Sequence, residues 1–334
     1  MTRSPLLDRP GAVAAEGPDE GVAAHYGDPF REQRTLATSV GLVDRSHRGV
    51  LAVPGPDRLS WLHSLTTQHL EQLPAWRGTE TLVLSPHGHV EHHALVAEDG
   101  ETTWLDVEPG TAGELLAFLE KMRFMLRVEP ADVTADWAVL SVVGPQTPQV
   151  LAALGAEPAE PYDVSPLPGG GWARRMPWPG ADNADLLVPR DRLDAVVEAA
   201  GAPLVGVQAY EALRVAARRP RLGAETDHRT IVQEPEWVGT AVHLEKGCYR
   251  GQETVARVHN LGRPPRRLVL LHLDGVSDEL PAHGDPVTLD ERQVGFVGTA
   301  VRHHELGPIA SALVKRAVAD DADLRIGATR AAID

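Results

Sequence analysis

A Gly-Pro turn occurs twice in this chain and constrains its fold more than any other sequence feature. The apolar run 49–53 is typical of a strand, and Gly55-Pro56 then turns the chain into a helix that extends to about Leu65. The same pattern returns 89 residues later, where the apolar run 137–143 precedes Gly144-Pro145 and a helical segment. The recurrence predicts a duplicated α+β unit, although two short turns can also coincide by chance.

Each repeat continues into a strand pair and a second helix. Thr111 can cap a helix that reaches about Arg127, and the segment 190–200 is typical of a helix that ends at Gly201. This order of elements predicts two ferredoxin-like α+β units, over residues 22–135 and 136–260. Short alternating apolar runs then indicate a small β-barrel domain over 261–334.

The first 21 residues have no apolar stretch of the kind that a signal peptide needs, and we expect them to be a disordered tail. One cysteine excludes a disulfide framework within the chain. Nowhere do the roughly eighteen apolar residues of a membrane-spanning helix run together. These features favour a cytoplasmic protein without membrane contact, and a monomer is the default expectation.

The net charge of −15 disfavours general binding to nucleic acid or anionic membranes. The charge is uneven, however, because residues 211–270 contain eleven Arg or Lys against seven acidic residues, a local excess of +4. Such a reversal suggests an anionic ligand. Solvated arginines that lie over apolar surface would give the same composition.

The segment 246–254, Lys-Gly-Cys-Tyr-Arg-Gly-Gln-Glu-Thr, carries the most chemistry. Cys248 lies between two cations and just ahead of a predicted helix start at Gln252, and both features favour a thiolate. A lone cysteine is more often a small buried hydrophobe, but the polar neighbours argue against burial here. The sequence therefore predicts a reactive Cys248.

At this segment the chain resembles the YgfZ family, relatives of the T-protein (aminomethyltransferase) of the glycine cleavage system. The signature KGCYRGQE carries the resemblance, and further matching segments are 41–44, 55–57, 209–214, 219–223, 255–258 and 266–268. The resemblance implies two α+β units and a C-terminal barrel in a ring around a central folate pocket. It also implies tetrahydrofolate-dependent support of iron–sulfur cluster assembly or repair, with indirect effects on tRNA modification.

The resemblance and the local charge together give the candidate site. Cys248 and Lys246 are the predicted catalytic residues, and tetrahydrofolate or another reduced folate is the expected cofactor. The expected folate-binding residues are Arg214, Tyr249, Arg250, Gln252, Glu253, Arg257 and His93. One cysteine cannot supply the thiolates of a stable cluster, so the expected partners are iron–sulfur proteins or assembly factors. Contact with tRNA is a weaker expectation.

Two departures from the transferase pattern leave enzymatic activity open. His92 and His93 stand where the T-protein type has paired aspartates, one of them catalytic, and Ala216 replaces a glutamate that contacts the pterin. The first alternative is a folate-dependent aminomethyl or methyl transferase or demethylase. The second is a non-enzymatic module that binds tRNA or protein.

The histidine-rich segment allows a metal-site alternative. On a strand, His89, Glu91 and His93 would share one face, which is a set that divalent metals accept. A solvated edge strand would show the same alternation, and no further ligand can be named from the sequence. We therefore predict no metal site.

Overall fold

The computed structural model describes residues 3–179, 182–276 and 278–334. Within these residues the chain forms nineteen β-strands and seven α-helices, with 3-10 helices over Pro5–Asp8, Gly17–Asp19 and Arg190–Arg192. The strands are β1 (Val13–Ala14), β2 (Ala23–His25), β3 (Gly41–Asp44), β4 (Gly49–Pro54), β5 (Arg77–Leu84), β6 (Val90–Glu98), β7 (Thr102–Val107), β8 (Ala131–Asp132), β9 (Trp137–Val143), β10 (Val164–Pro166), β11 (Trp172–Met176), β12 (Asn183–Pro189), β13 (Leu204–Val205), β14 (Arg266–Leu273), β15 (Pro286–Leu289), β16 (Arg292–His303), β17 (Gly307–Lys315), β18 (Leu324–Ile326) and β19 (Thr329–Ile333). The helices are α1 (Pro29–Thr38), α2 (Arg58–Leu65), α3 (Ala112–Met122), α4 (Thr147–Ala153), α5 (Leu193–Ala200), α6 (Val207–Ala216) and α7 (Gln252–Leu261).

Two sheets repeat one arrangement of strands. The first has the order β5-β6-β7-β4-β8 and the second the order β10-β11-β12-β9-β3-β13. In each sheet the strand before the Gly-Pro turn, β4 or β9, is followed directly by a helix, α2 or α4. Gly55 and Gly144 have φ angles of +121° and +125°, which glycine alone adopts readily. The turn chemistry that was visible in the sequence therefore builds the same unit twice.

The C-terminal strands close into a barrel in the order β14-β17-β16-β15-β18-β19, and β14 also pairs with β19. Val215 and Ala216 at the end of α6 pack against Leu270 and Ile309 of the barrel. The two α+β units and the barrel confirm the predicted fold class. Among the described residues, no helix combines the length and apolar character that crossing a bilayer requires.

Two predicted helices differ at their ends. Helix α3 stops at Met122 rather than near Arg127, because the chain turns there and leaves Phe124 and Met125 exposed. Helix α5 begins at Leu193, after a 3-10 turn, and ends as predicted at Gly201 in the left-handed conformation.

The expected disordered tail over residues 1–21 is wrong for the part that the structure describes. Leu6 is completely buried and belongs to the core of the second sheet. The Ser4 hydroxyl and Asp44 form a buried hydrogen bond, and Asp19 reaches the centre of the molecule. Met1 and Thr2 lie outside the described residues. Ser4 and Asp19 thus serve buried polar groups, while most other described residues of the segment are exposed.

The chain also crosses between the units that the sequence separates at residue 135. Strand β3 pairs with β9 and so lies in the second sheet, although it precedes the first unit's strands. The segment with Cys248 belongs in the predicted second unit, but Trp237, Tyr249 and Val255 pack against β5 and β6 of the first. Such exchanges depend on contacts far apart in sequence, which a boundary drawn from local patterns misses.

Candidate functional site

A buried cluster of arginines and aspartates joins the two sheets. Asp106 on β7 accepts hydrogen bonds from Arg48 Nε at 2.5 Å and from Arg174 Nη2, on β11 of the other sheet, at 2.7 Å. Arg174 also pairs with Asp185 of β12 at 3.1 Å, and Asp185 pairs with Arg45 at 3.2 Å. None of these five side chains is more than 7% exposed. Because an unpaired buried charge is costly, this network fixes one sheet against the other.

A small central cavity of about 30 Å³ lies beside this network. Flat rings line it, those of Trp178 and Tyr210 together with the imidazoles of His47 and His93. A larger cavity of about 560 Å³ adjoins it on the side of the barrel. Both cavities are lined by Asp19, Glu108, Glu211 and Arg221. The two cavities thus share one wall of charged side chains.

Helix α6 supplies a wall of the central cavity. Val207, Tyr210, Glu211 and Arg214 line the cavity, and their spacing of three, four and seven residues puts them on one helix face. Ala216 lies on a different face and packs against the barrel. In this structure the carboxylate that α6 offers to the cavity is therefore Glu211, five residues earlier.

The sequence predicts Arg214 as a partner for the folate carboxylates, but its donors are already occupied. Its Nε and Nη2 donate to Glu211 at 3.0 and 2.8 Å, and its Nη1 donates to Glu225 at 3.0 Å. Nη1 also donates to the carbonyl of Arg219 at 2.6 Å, and Nη2 to Thr299 on the barrel at 2.8 Å. Arg214 thus lines the cavity and also holds α6 against the barrel, and its contact with folate stays a prediction.

Two carboxylates of the cavity are held in the ionised form. Asp19 accepts hydrogen bonds from His47 Nε2 at 2.9 Å and from Arg221 Nη2 at 2.6 Å. Glu108 accepts from Arg48 Nη1 at 2.8 Å and from Arg221 Nε at 2.5 Å. Burial alone would raise the pKa of both groups, but these cations hold each pKa well below its usual range. Such carboxylates are weak bases at neutral pH.

His93 is buried against the central cavity. Its Nε2 donates to Glu80 Oε2 at 3.1 Å, and its ring stacks on Trp237 with 5.1 Å between centroids. Arg219 Nη2 donates to the same carboxylate at 2.8 Å, and the Tyr162 hydroxyl also bonds to it. Burial would raise the pKa of Glu80, but the His93 hydrogen bond and the Arg219 charge bring it to about 2. A buried anion therefore fixes the His93 ring.

The three residues of the possible metal set do not come together. A bulge in the pairing of β5 with β6 falls between Val90 and His92, so the strict alternation is broken at Glu91. His93 points inward to Glu80, whereas Glu91 is exposed and pairs with Arg250 at 3.3 Å. Within the described part of the chain these residues form no metal-binding group.

Cys248 is exposed, as the sequence predicts, and it does not line the central cavity. Lys246, its predicted catalytic neighbour, is only 5% exposed. Its ammonium donates to the carbonyls of Thr66 at 2.5 Å and Gln68 at 3.3 Å, and also to the carbonyl of His63. Burial lowers the pKa of Lys246 to about 8. Lys246 therefore anchors the segment to the end of α2, and its catalytic role stays a prediction.

The other predicted folate contacts in this segment lie outside the central cavity. Tyr249 is buried with its ring 5.0 Å from Lys246 Nζ, and Arg250 pairs with Glu91. The amide of Gln252 donates to the carbonyl of Lys246 at 3.3 Å, while Glu253 and Arg257 are exposed on α7. Of the predicted folate-binding residues, the structure brings only Arg214 and His93 to the central cavity.

Two glycines let the turn between β5 and β6 approach the start of α7. Gly251 has a φ of +81°, and a Cβ there would lie 2.7 Å from the carbonyl oxygen of Ser85 and 2.8 Å from the Cα of Gly88. A Cβ on Gly88 would lie 2.6 Å from the Cβ of Thr254. Gly251 of the Cys248 segment thus serves close backbone packing against the turn between β5 and β6.

We expect Gly251→Ala to lower the free energy of unfolding by about 2 kcal/mol, because the new methyl group meets backbone atoms that cannot move aside. Gly262→Ala is the matched control, since Gly262 ends the same helix with a φ of +69° and a Cβ there would meet nothing within 4 Å. Its expected loss is about 1 kcal/mol. Urea denaturation measures both, and equal losses would mean that the close approach has no energetic importance.

Sequence reasoning missed the residues that carry the charge of the cavity, namely Asp19, Glu108, Glu211 and Arg221. Asp19 was assigned to the tail, and Arg221 was one of many arginines in a basic stretch. Several arginines of this stretch form ion pairs within the protein. Arg266, for example, pairs with Asp227 at 2.7 Å and with Glu234 at 2.8 Å. The surplus of arginine was a signal of buried ion pairs.

The chain is similar in sequence to known transferases and to one protein-family model. Residues 25–165 match the model of the GCVT N-terminal domain. An aminomethyltransferase of Geobacillus kaustophilus is 29% identical over 343 residues, which cover 96% of this chain and 92% of that protein. An Arabidopsis thaliana protein named "Putative transferase At1g60990, chloroplastic" is 27% identical over 312 residues, which cover 87% of this chain and 68% of that protein.

The glycine cleavage system aminomethyltransferase T from Bartonella henselae has the same fold. Its crystal structure superimposes with a TM-score of 0.85 at 20% sequence identity, covering 98% of this chain and 94% of that one. The chain is thus similar to aminomethyltransferases in sequence and has the fold of one of them over nearly its whole length.

Proposed function

We propose that this protein is a YgfZ-type member of the GcvT-like superfamily, which binds a reduced folate in the larger cavity where it adjoins the central one, and supports iron–sulfur cluster assembly or repair in the cytoplasm through Cys248. Two features of the structure carry the proposal. One is the central cavity, which is lined by flat rings, and the other is the exposed thiol of Cys248 on an anchored loop outside that cavity.

Folate binding is supported by the cavity and by the relatives. Aminomethyltransferases of the GcvT-like superfamily use tetrahydrofolate. A pterin is a flat ring with polar edges, and the rings of Trp178, Tyr210 and His93 offer the stacking surfaces that such a group needs. Arg219 lies over the Trp178 ring, 4.7 Å from its centroid, and so fixes the ring at the cavity wall.

The role of Cys248 is supported by its exposure and by the rigidity of its loop. Lys246 and Tyr249 on either side of it are buried, so the backbone around the thiol is held on both sides. After loss of its proton to water, the sulfur can bind one iron of a cluster that a partner protein holds. One thiolate cannot retain a cluster by itself, which favours a transient role.

Cells that lack their own copy of the protein test the proposal. Wild-type protein is expected to restore the activity of an iron–sulfur enzyme, and Cys248→Ser to fail while it keeps wild-type stability and tetrahydrofolate affinity. Trp178→Ala serves as the reciprocal variant, with its folate affinity reduced and its thiol intact. Full restoration by Cys248→Ser would refute the thiol mechanism, and a wild-type protein that binds no tetrahydrofolate would refute the folate site.

A second candidate is a folate-dependent aminomethyl or methyl transfer, favoured by relatives that are named aminomethyltransferases and match nearly the whole chain. The charges in the cavity oppose it. Asp19 and Glu108 are held as weak bases by their arginine partners, which leaves these carboxylates unsuited to proton abstraction. If the pure protein forms a methylene-folate product from an aminomethyl donor and tetrahydrofolate, this second candidate function is correct.

Direct contact with tRNA has the least support. The basic stretch 211–270 suggests phosphate binding in the sequence, yet Arg214, Arg221 and Arg266 are all engaged with buried or half-buried carboxylates. Any effect on tRNA modification would then be indirect, through enzymes that depend on clusters.

A further inference from the structure

A cluster of histidines lies next to the anchor of the Cys248 loop, and neither the central cavity nor the thiol accounts for it. His63 is in the last turn of α2, and His69 and Glu71 follow in the next loop. One possible ligand atom from each of these three side chains lies within 4.8 Å of the other two. His243, from a distant part of the chain, has its ring 5.4 Å from that of His69.

We propose that His63, His69 and Glu71 form a binding site for a divalent transition metal of the Zn²⁺ class, with His243 or water as a fourth ligand. Imidazole nitrogens and a carboxylate oxygen are a standard ligand set for this ion. The proposal does not depend on folate binding or on Cys248.

The loops that carry these side chains are fixed to each other by buried hydrogen bonds. Thr67 Oγ1 donates to the carbonyl of Ala241 at 2.6 Å, and the side-chain amide Nε2 of Gln68 donates to the carbonyl of Thr240 at 2.8 Å. The backbone N–H of His243 donates to the carbonyl of Thr67 at 3.0 Å. Two segments about 175 residues apart in the chain are therefore joined beside the histidines, as a preformed site requires.

The positive charge of Lys246 lies beside His63 and would repel a metal ion. Its ammonium is turned to three backbone carbonyls, however, and the negative charge of Glu71 opposes it.

Metal binding requires a small closure of the site. Ligand atoms of a tetrahedral zinc site, with bonds of about 2.1 Å, lie roughly 3.4 Å apart. The present separation of up to 4.8 Å therefore has to shorten by an ångström or more. Glu71 is exposed and free to rotate, while His63 Nδ1 would give up a 3.3 Å hydrogen bond from the N–H of Glu71 or bind through its other nitrogen.

Titration of metal-free, untagged, full-length Cys248→Ser protein with Zn²⁺ tests the proposal, because this background removes the thiol as a ligand. Isothermal calorimetry is expected to show one equivalent bound, and the thermal midpoint is expected to rise with added Zn²⁺. Adding His69→Ala should weaken the affinity at least tenfold. Adding His87→Ala, which removes an exposed histidine of another loop, should leave it unchanged.

The exposed Glu71 provides a second variant that leaves the folded core untouched. Glu71→Gln keeps the size of the side chain but removes its charge, and we expect it to weaken Zn²⁺ binding severalfold at an unchanged thermal midpoint of the metal-free protein. Absence of saturable binding in the Cys248→Ser background, or equal affinity in the His69→Ala and His87→Ala proteins, would overturn the proposal.

Discussion

Replacement of Asp106 by alanine is expected to lower the free energy of unfolding by about 4 kcal/mol, because it removes the shared partner of two buried arginines. Arg48 lies in the loop just before β4 and Arg174 lies on β11 of the other sheet, and both donate to this carboxylate. Each arginine keeps one other acidic partner, Glu108 or Asp185, so the protein is expected to remain folded. The measurement is urea denaturation followed by tryptophan fluorescence.

Asp320→Ala is the matched control for this prediction. Asp320 also pairs with an arginine, Arg267, at 2.5 Å, but its side chain is 76% exposed. Exposed pairs contribute little, so the expected change is within about 0.5 kcal/mol. A loss for Asp106→Ala as small as that of the control would mean that water reaches the two arginines and that the charged cluster does not hold the sheets together.

Local turn chemistry was the part of the fold that the sequence could predict. Gly55 and Gly144 have positive φ angles, and a side chain at either position would also collide with neighbouring backbone. Both requirements favour glycine, and the sequence shows them as a Gly-Pro pair. The alternating runs after residue 261 similarly predicted a barrel, because a strand with one buried face shows a regular alternation of apolar and polar residues.

Contacts between distant segments were the part that it could not predict. The N-terminal segment is polar and rich in Pro and Gly, which is typical of disorder, yet Asp19 meets an arginine 202 residues away. His63 and His243 belong to segments with no common motif, which hydrogen bonds between loops join in the folded protein. A residue whose partner lies so far along the chain leaves no periodic pattern for sequence reasoning to detect.

The candidate site differs from the sequence prediction for the same reason. The motif around Cys248 indicated an exposed cysteine, which the structure has, while Lys246 and Tyr249 beside it are buried. Strand β6 offers a physical connection between the two regions, because His93 faces the cavity and Glu91, two residues earlier, pairs with Arg250 beside Cys248. A ligand that moved His93 would act on a strand that also contacts the loop of the thiol.

Glu80→Gln is expected to lower the free energy of unfolding by about 3 kcal/mol at pH 7. Glu80 is fully buried, and its pKa of about 2 lies below the usual value of 4.5. Between pH 2 and pH 4.5, Glu80 therefore binds a proton more readily in the unfolded chain than in the folded protein. The ionised carboxylate stabilises the fold most at pH values above 4.5. As the pH falls from 4.5 towards 2, this stabilisation is lost.

The difference between wild type and Glu80→Gln isolates this carboxylate, because all other titrating groups are common to both proteins. Urea denaturation at several pH values is expected to show the full difference at pH 7 and less than half of it at about pH 3. Tetrahydrofolate affinity should fall in the variant as well, since Glu80 holds both His93 and Arg219 at the cavity wall. A difference that stays constant with pH would mean that the pKa of Glu80 is the same in the folded protein and the unfolded chain, so that His93 and Arg219 do not stabilise its ionised form.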